Sequence, residues 1–141
     1  MVKVIIDTNI IISALITKGY PQQILIEIVF ARKVNLCLSS PIFEEWLEVV
    51  NRDKFKKNAH FQTNAEIFIN KLLDLSTFYS PSIKIDLLKD KKDNMFLELA
   101  LEANADYIIT GNSNDFTLYK FEGTKILSPK SFYEFALTSQ L

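Results

Sequence analysis

The feature that most constrains this chain is a change of character within its first dozen residues. Val4-Ile5-Ile6 is apolar and β-branched, Asp7-Thr8-Asn9 is small and polar, and Ile10-Ile11-Ile12 is apolar again. The first run is too short and too β-branched for a helix and reads as a buried central strand. The second, continued through Ser13, Ala14 and Leu15 to Ile16, has the length of a short helix. Asp7 then falls where a buried strand gives way to a helix, at the carboxyl edge where open α/β sheets place their ligands. The plainer reading is that Asp7, Thr8 or Asn9 caps the helix, since all three residue types accept hydrogen bonds from orphan N–H groups.

The same alternation runs through the rest of the chain. Gly19-Tyr20-Pro21 breaks the first helix, and Ile24, Leu25, Ile28 and Val29 predict a second over 22–32. A short strand is expected at 35–39, then a helix opened by Ser40-Pro41 and running to about Asn51, with Phe43, Trp46, Leu47 and Val50 as its core stripe. The cations behind it, Arg52, Lys54, Lys56 and Lys57, read as a solvated helix end favoured by the macrodipole. A helix beginning around Asn64 carries Ile67, Phe68, Leu72 and Leu75; Ile83-Lys84-Ile85 is a weak strand, and 86–92 a charge-rich surface loop. The strongly apolar stretch 95–105 predicts a deeply buried helix, 107–110 and 125–127 predict strands, and Ser128-Pro129 opens a last helix with Phe132, Phe135 and Ala136. Alternating strands and helices imply a three-layer α/β/α fold around a central parallel sheet. No linker divides the chain, so residues 1–141 are expected to form a single domain.

Composition narrows the function. Hydrophobic residues make up 48% of the chain, with 11 Phe, which suits a filled core and argues against disorder. No apolar run approaches the roughly 20 residues needed to span a bilayer, and Met1-Val2-Lys3 lacks the layout of a signal peptide, so no membrane association and a cytoplasmic location are expected. Cys37 is the single cysteine and reads as a small core residue; with His60 the single histidine, ordinary zinc ligation is nearly excluded. The formal net charge of -1 shows no basic excess of the kind that advertises a nucleic-acid binder, although a cluster of acids can mask local basic patches in that total.

None of the glycines, Gly19, Gly111 and Gly123, belongs to a phosphate-cradling loop, and there is no GxSxG elbow. What recurs is a small acid or its amide after a strand or at a helix start: Asp7, Glu44-Glu45, Asp93, Asn112 and Asp115. In a doubly wound sheet these positions converge on one edge. Converging carboxylates repel one another unless a cation sits among them, and oxygen-only ligation suits Mg²⁺ or Mn²⁺. Such a site can activate a water against a phosphodiester. Helix capping by Asp93-Asn94, and surface exposure of Glu44 and Glu45, are the competing readings.

Asp7-Thr8-Asn9 after the first strand, Ser40-Pro41-Ile42-Phe43-Glu44-Glu45-Trp46 opening a helix, Asp93-Asn94-Met95-Phe96-Leu97-Glu98-Leu99-Ala100, and 105–112 with its Thr110-Gly111-Asn112 ending together resemble the PIN domain family. The ending Ile126-Leu127-Ser128-Pro129 resembles that family as well. The resemblance covers essentially the whole chain. It implies a metal-dependent ribonuclease fold using Mg²⁺ or Mn²⁺, an RNA substrate and, for small single-domain members, a toxin of the VapC type neutralised by a partner antitoxin. By position it makes Asp7, Glu45 and Asp93 acidic metal ligands, with Thr8 or Asn9 and Thr110 as supporting groups. Helical geometry alone does not separate Glu44 from Glu45; the choice of Glu45 rests on the family pattern. Where the family often has an aspartate after Thr-Gly, this chain has Asn112, and the next acid is Asp115. The fourth acid and a second metal are therefore open, as is a homodimer formed through exposed apolar helix faces.

Two other readings of the first strand and its acid fail on residues. A haloacid-dehalogenase-like phosphatase needs a second aspartate where Asn9 stands, and a receiver domain needs an acid pair and a late lysine that are absent. The remaining alternative is a catalytically weakened PIN-like module that binds RNA or protein, favoured by Asn112.

Overall fold

A computed structural model describes residues 1–111, 120–139 and 141. Its sheet contains β1 (Lys3–Ile6), β2 (Asn35–Leu38), β3 (Ser76–Phe78), β4 (Tyr107–Ile109), β5 (Lys120–Phe121) and β6 (Thr124–Leu127). The strand order is β3-β2-β1-β4-β6-β5. Around it lie α1 (Thr8–Ile16), α2 (Tyr20–Ile24), α3 (Ser40–Val50), α4 (Asp53–Lys56), α5 (Ala59–Leu75), α6 (Asn94–Ala103) and α7 (Pro129–Thr138). The fold is the expected α/β arrangement, a mostly parallel sheet flanked by helices.

β1 owes its central place to Val4, Ile5 and Ile6, all buried, which tolerate a helix layer on either face. It pairs in parallel with β2, Val4 opposite Leu36, and with β4, Ile5 opposite Ile108. From β1 the chain winds outward to β2 and β3, then returns to place β4 on the other side of β1. The gap between β1 and β4 is thus the point where winding reverses, where open α/β sheets form a crevice beyond their carboxyl ends. The main core spans both faces of the sheet and includes Trp46, Phe96 and Phe132; a smaller one joins Ile12 and Leu15 of α1, Val49 and Val50 of α3, and Phe61, Ala65 and Ile69 of α5.

Several elements differ from expectation. α5 begins at Ala59 instead of near Asn64 because the Asn58 side chain accepts the Phe61 N–H at 3.0 Å and Phe61 is buried. Its buried face is Phe61, Ala65, Ile69 and Leu72, and Ile67 is 47% exposed. In α3 the stripe is Ile42, Trp46, Val49 and Val50, whereas Leu47 is 40% exposed. The helix predicted over 22–32 is α2 followed by a π-helical turn, Leu25–Val29, and the chain leaves it through Arg32 at φ 59°. The edge strand beside β2 is β3, not Ile83-Lys84-Ile85, and the short hairpin of β5 and β6 makes one pairing antiparallel. Asp93 occupies the N-cap position of α6 without a side-chain cap bond, and Asn104 ends that helix in the left-handed region at φ 51°.

The segment carrying Ile83 and Ile85 is bound to a helix. Asn94, Glu98 and Glu102 stand one turn apart on α6, and each accepts backbone N–H groups from the preceding chain. Glu102 takes Ser82 at 3.1 Å, Glu98 takes Ile85 at 3.0 Å, and buried Asn94 takes both Leu87 and Leu88 at 3.1 and 2.9 Å. Leu88 is the buried anchor of this strap. With these amides engaged by side chains, Ile85 is not available to a sheet ladder.

Candidate functional site

The site is built at the carboxyl ends of β1 and β4. The Asp7 N–H donates to the Ile109 carbonyl at 2.9 Å, extending the β1–β4 ladder by one residue and fixing Asp7 at the edge. α1 starts directly afterwards, and Asp7 Oδ1 accepts the Asn9 N–H at 3.4 Å, so the residue also serves as the cap of that helix. Its other oxygen, Oδ2, accepts from Thr110 Oγ1 at 2.7 Å across the β1–β4 gap. Asp7 is only 4% exposed and Thr110 is buried as well.

A second acid reaches the same edge from α3. The Thr8 hydroxyl donates to Glu45 Oε2. Thr8 is buried and Glu45 half-buried, so this contact ties the start of α1 to the first turns of α3. Of the two adjacent glutamates, Glu45 makes this contact while Glu44 is exposed. Two carboxylates are thus held near the carboxyl end of β1 by neutral hydroxyl donors, an arrangement that orients them without supplying a compensating charge.

Asp93 stands half-buried where a 3-10 turn, Lys91–Asp93, enters α6, and the Asn9 side chain is exposed on α1. Asn112 and Asp115 lie outside the described residues. Among the described residues no group of three or more His, Cys, Asp or Glu side chains is drawn together closely enough to hold a metal ion. The oxygen donors of Asp7 and Glu45 fit a hard divalent cation, but they are a pair and not a closed cage.

Beside Glu45 opens a cleft of about 550 Å³ between α3, the strap and the start of α6. One wall carries Glu44, Glu45 and Glu48; the strap side carries Lys84, Lys91 and Lys92. Glu98 also lines it while holding Ile85. The Arg52 guanidinium hydrogen-bonds Glu48 at 2.9 Å and holds its carboxyl below its ordinary value. The sequence reading missed Glu48, Glu98 and the lysines of this cleft. The available signal was the i, i+4, i+8 spacing of Asn94, Glu98 and Glu102, a polar line on a helix otherwise read as continuously apolar.

The model of the PIN domain family matches residues 3–114, which contain Asp7, Thr8, Glu45, Asp93 and Thr110. The chain belongs to the PIN domain family. Members of that family are generally nucleases. This PIN domain is similar to the uncharacterized protein MJ1680 of Methanocaldococcus jannaschii, at 29% identity over 142 residues, 94% of this chain and 90% of that one. In fold it resembles the crystal structure of VapBC2 from Rickettsia felis bound to a DNA fragment from their promoter, with a TM-score of 0.62 at 18% identity, over 89% of this chain and 98% of the matched one. None of the helices among the described residues of this PIN domain is long and apolar enough to cross a membrane.

Proposed function

We propose that this PIN domain is a Mg²⁺- or Mn²⁺-dependent endoribonuclease that hydrolyses RNA phosphodiester bonds in the cytoplasm, as the toxin of a type II pair held in check by an antitoxin protein. The observation that carries the reading is the hydroxyl-held pair of carboxylates, Asp7 and Glu45, at the point where the sheet reverses its winding. The antitoxin follows from likeness of fold to a VapBC2 complex, and the nuclease class from the family. Asp7 and Glu45 would hold the cation, with Asp93 as the third acid and Asp115 as the candidate fourth; the neutral Asn112 offers only an amide oxygen. When bound, the cation supplies a Lewis acid that activates water and steadies the leaving oxygen. Thr8 and Thr110 orient the two carboxylates; Asn9 contributes its backbone N–H to Asp7.

The test is cleavage of a labelled single-stranded RNA with Mg²⁺ or Mn²⁺ and with EDTA. Cleavage should require the metal and fall at least a hundredfold in Asp7→Asn, about the loss that follows removal of a key electrostatic group from an active site. The variant should melt close to the parent without metal, because removing a buried negative charge at the acid edge offsets the loss of one of the two hydrogen bonds that the Asp7 carboxylate accepts. Metal-independent cleavage, or full activity in Asp7→Asn, would refute the assignment. A second reading, a PIN-like module of weakened catalysis that binds RNA or protein, is favoured by Asn112, which stands where the family often has an aspartate. It expects no metal-dependent turnover of RNA.

A further inference from the structure

We propose that the strap over residues 82–92 is the wall that grips the RNA strand, with Lys84, Lys91 and Lys92 binding backbone phosphates while the acids opposite face the scissile bond. This rests on the ribonuclease reading and adds the groups that hold its substrate.

Three observations carry it. First, the strap is a fixed element: Asn94, Glu98 and Glu102 hold four of its amides, and Leu88 is buried beneath it. Second, charge is divided across the cleft, with Glu44, Glu45 and the Arg52-paired Glu48 of α3 on one wall and the lysines on the strap side, while Glu98, which also lines the cleft, is engaged by the Ile85 N–H. A phosphodiester needs that division, since cations must neutralise the phosphates while the acids serve the metal and the water. Third, these cations have capacity left. Among the described residues neither Lys84 nor Lys92 forms a contact ion pair, Lys92 acting on Glu48 only at longer range, and the partner of Lys91 is Asp86 of the same strap, exposed like itself. An exposed pair of this kind is worth little and exchanges readily for a phosphate. The cleft volume of about 550 Å³ lies within the range of about 300–1,000 Å³ typical of ligand sites.

The experiment measures binding of a fluorescent single-stranded RNA, in EDTA so that no cleavage occurs, across a series of salt concentrations. The double variant Lys91→Gln and Lys92→Gln removes two charges from exposed positions and should melt like the parent. Its affinity at low salt should fall on the order of tenfold, and the dependence of log K on log salt should become shallower by about 1.4, the counterion release of two single-strand phosphate contacts. Lys130→Gln on α7, outside the cleft, should change neither quantity. Unchanged affinity and slope in the double variant would overturn the proposal, as would weakened binding of an acidic peptide with RNA binding intact. The two readings fail separately. A parent that cleaves, with a variant that binds normally, removes the strap alone; a parent that binds through the lysines but never cleaves removes the nuclease alone. A parent that neither binds nor cleaves removes both.

Discussion

Cys37 shows how a single side chain reports its surroundings. It lies on β2, buried between Leu36 and Leu38, and burial pushes its thiol up to about 11 from an ordinary 9.0. In the unfolded chain the thiol ionises near the ordinary value, so between roughly pH 9 and pH 11 only the unfolded state loses the proton and its contribution to stability drains away. Below pH 9 the contribution is whole. Stability curves of the parent and of Cys37→Ala should therefore run parallel up to about pH 9 and converge above it, by on the order of 2 kcal/mol. Parallel curves throughout would show that the thiol ionises freely in the native state. Other single residues were only partly readable. The break from Ile6 to Asp7 fixed where the first acid stands, because a buried β-branched strand leaves few other places for it. Glu44 and Glu45 could not be separated by periodicity, since both border the apolar stripe of α3; a tertiary contact, the Thr8 hydroxyl, distinguishes Glu45.

Among the elements, the strap is the one whose stability can be tested by itself. Asn94 is buried, and its single carbonyl oxygen satisfies two backbone donors, those of Leu87 and Leu88. Asn94→Ala leaves both donors without that partner, at a cost of about 2 kcal/mol, within the range for unsatisfied buried groups. Asn94→Asp, which keeps an acceptor of the same shape, should restore much of the loss. Hydrogen exchange at Leu87 and Leu88 should accelerate in the alanine variant while that of β1 and β4 changes only with global stability; equal protection at both sites would contradict this account. The strap also marks the limit of what the sequence could tell. Strong patterns such as β1, β2, α6 and α7 were legible because their apolar spacing is set locally. Ile83-Lys84-Ile85 carries a β-forming pattern, yet its amides are claimed by side chains on a helix that follows it in sequence, a competition no local window records.

At the scale of the molecule, the question is whether two clusters of buried side chains behave as one. Phe43, Phe68 and Leu73 pack against both, so neither can melt without stripping partners from the other. We therefore expect a single cooperative transition in urea. Trp46 lies in the main cluster and the helical signal draws heavily on α5 of the smaller one, so fluorescence and far-ultraviolet circular dichroism should give superimposable curves. Separated midpoints would divide the chain into two units. The sheet order could not have been read in advance, because strand neighbours are chosen by distant contacts, and only the rule of right-handed crossovers narrows them. That order has a consequence for how the protein is made. The hydroxyl that orients Asp7 belongs to Thr110, 103 residues further along, and β4 must be laid beside β1 before the two can meet. A chain emerging from the ribosome presents Asp7 about a hundred residues ahead of Thr110 and cannot close this edge until the fourth strand has left the exit tunnel. Fragments that stop before β4 therefore carry the acid without the geometry, and whatever chemistry this edge performs waits until that strand has paired with β1.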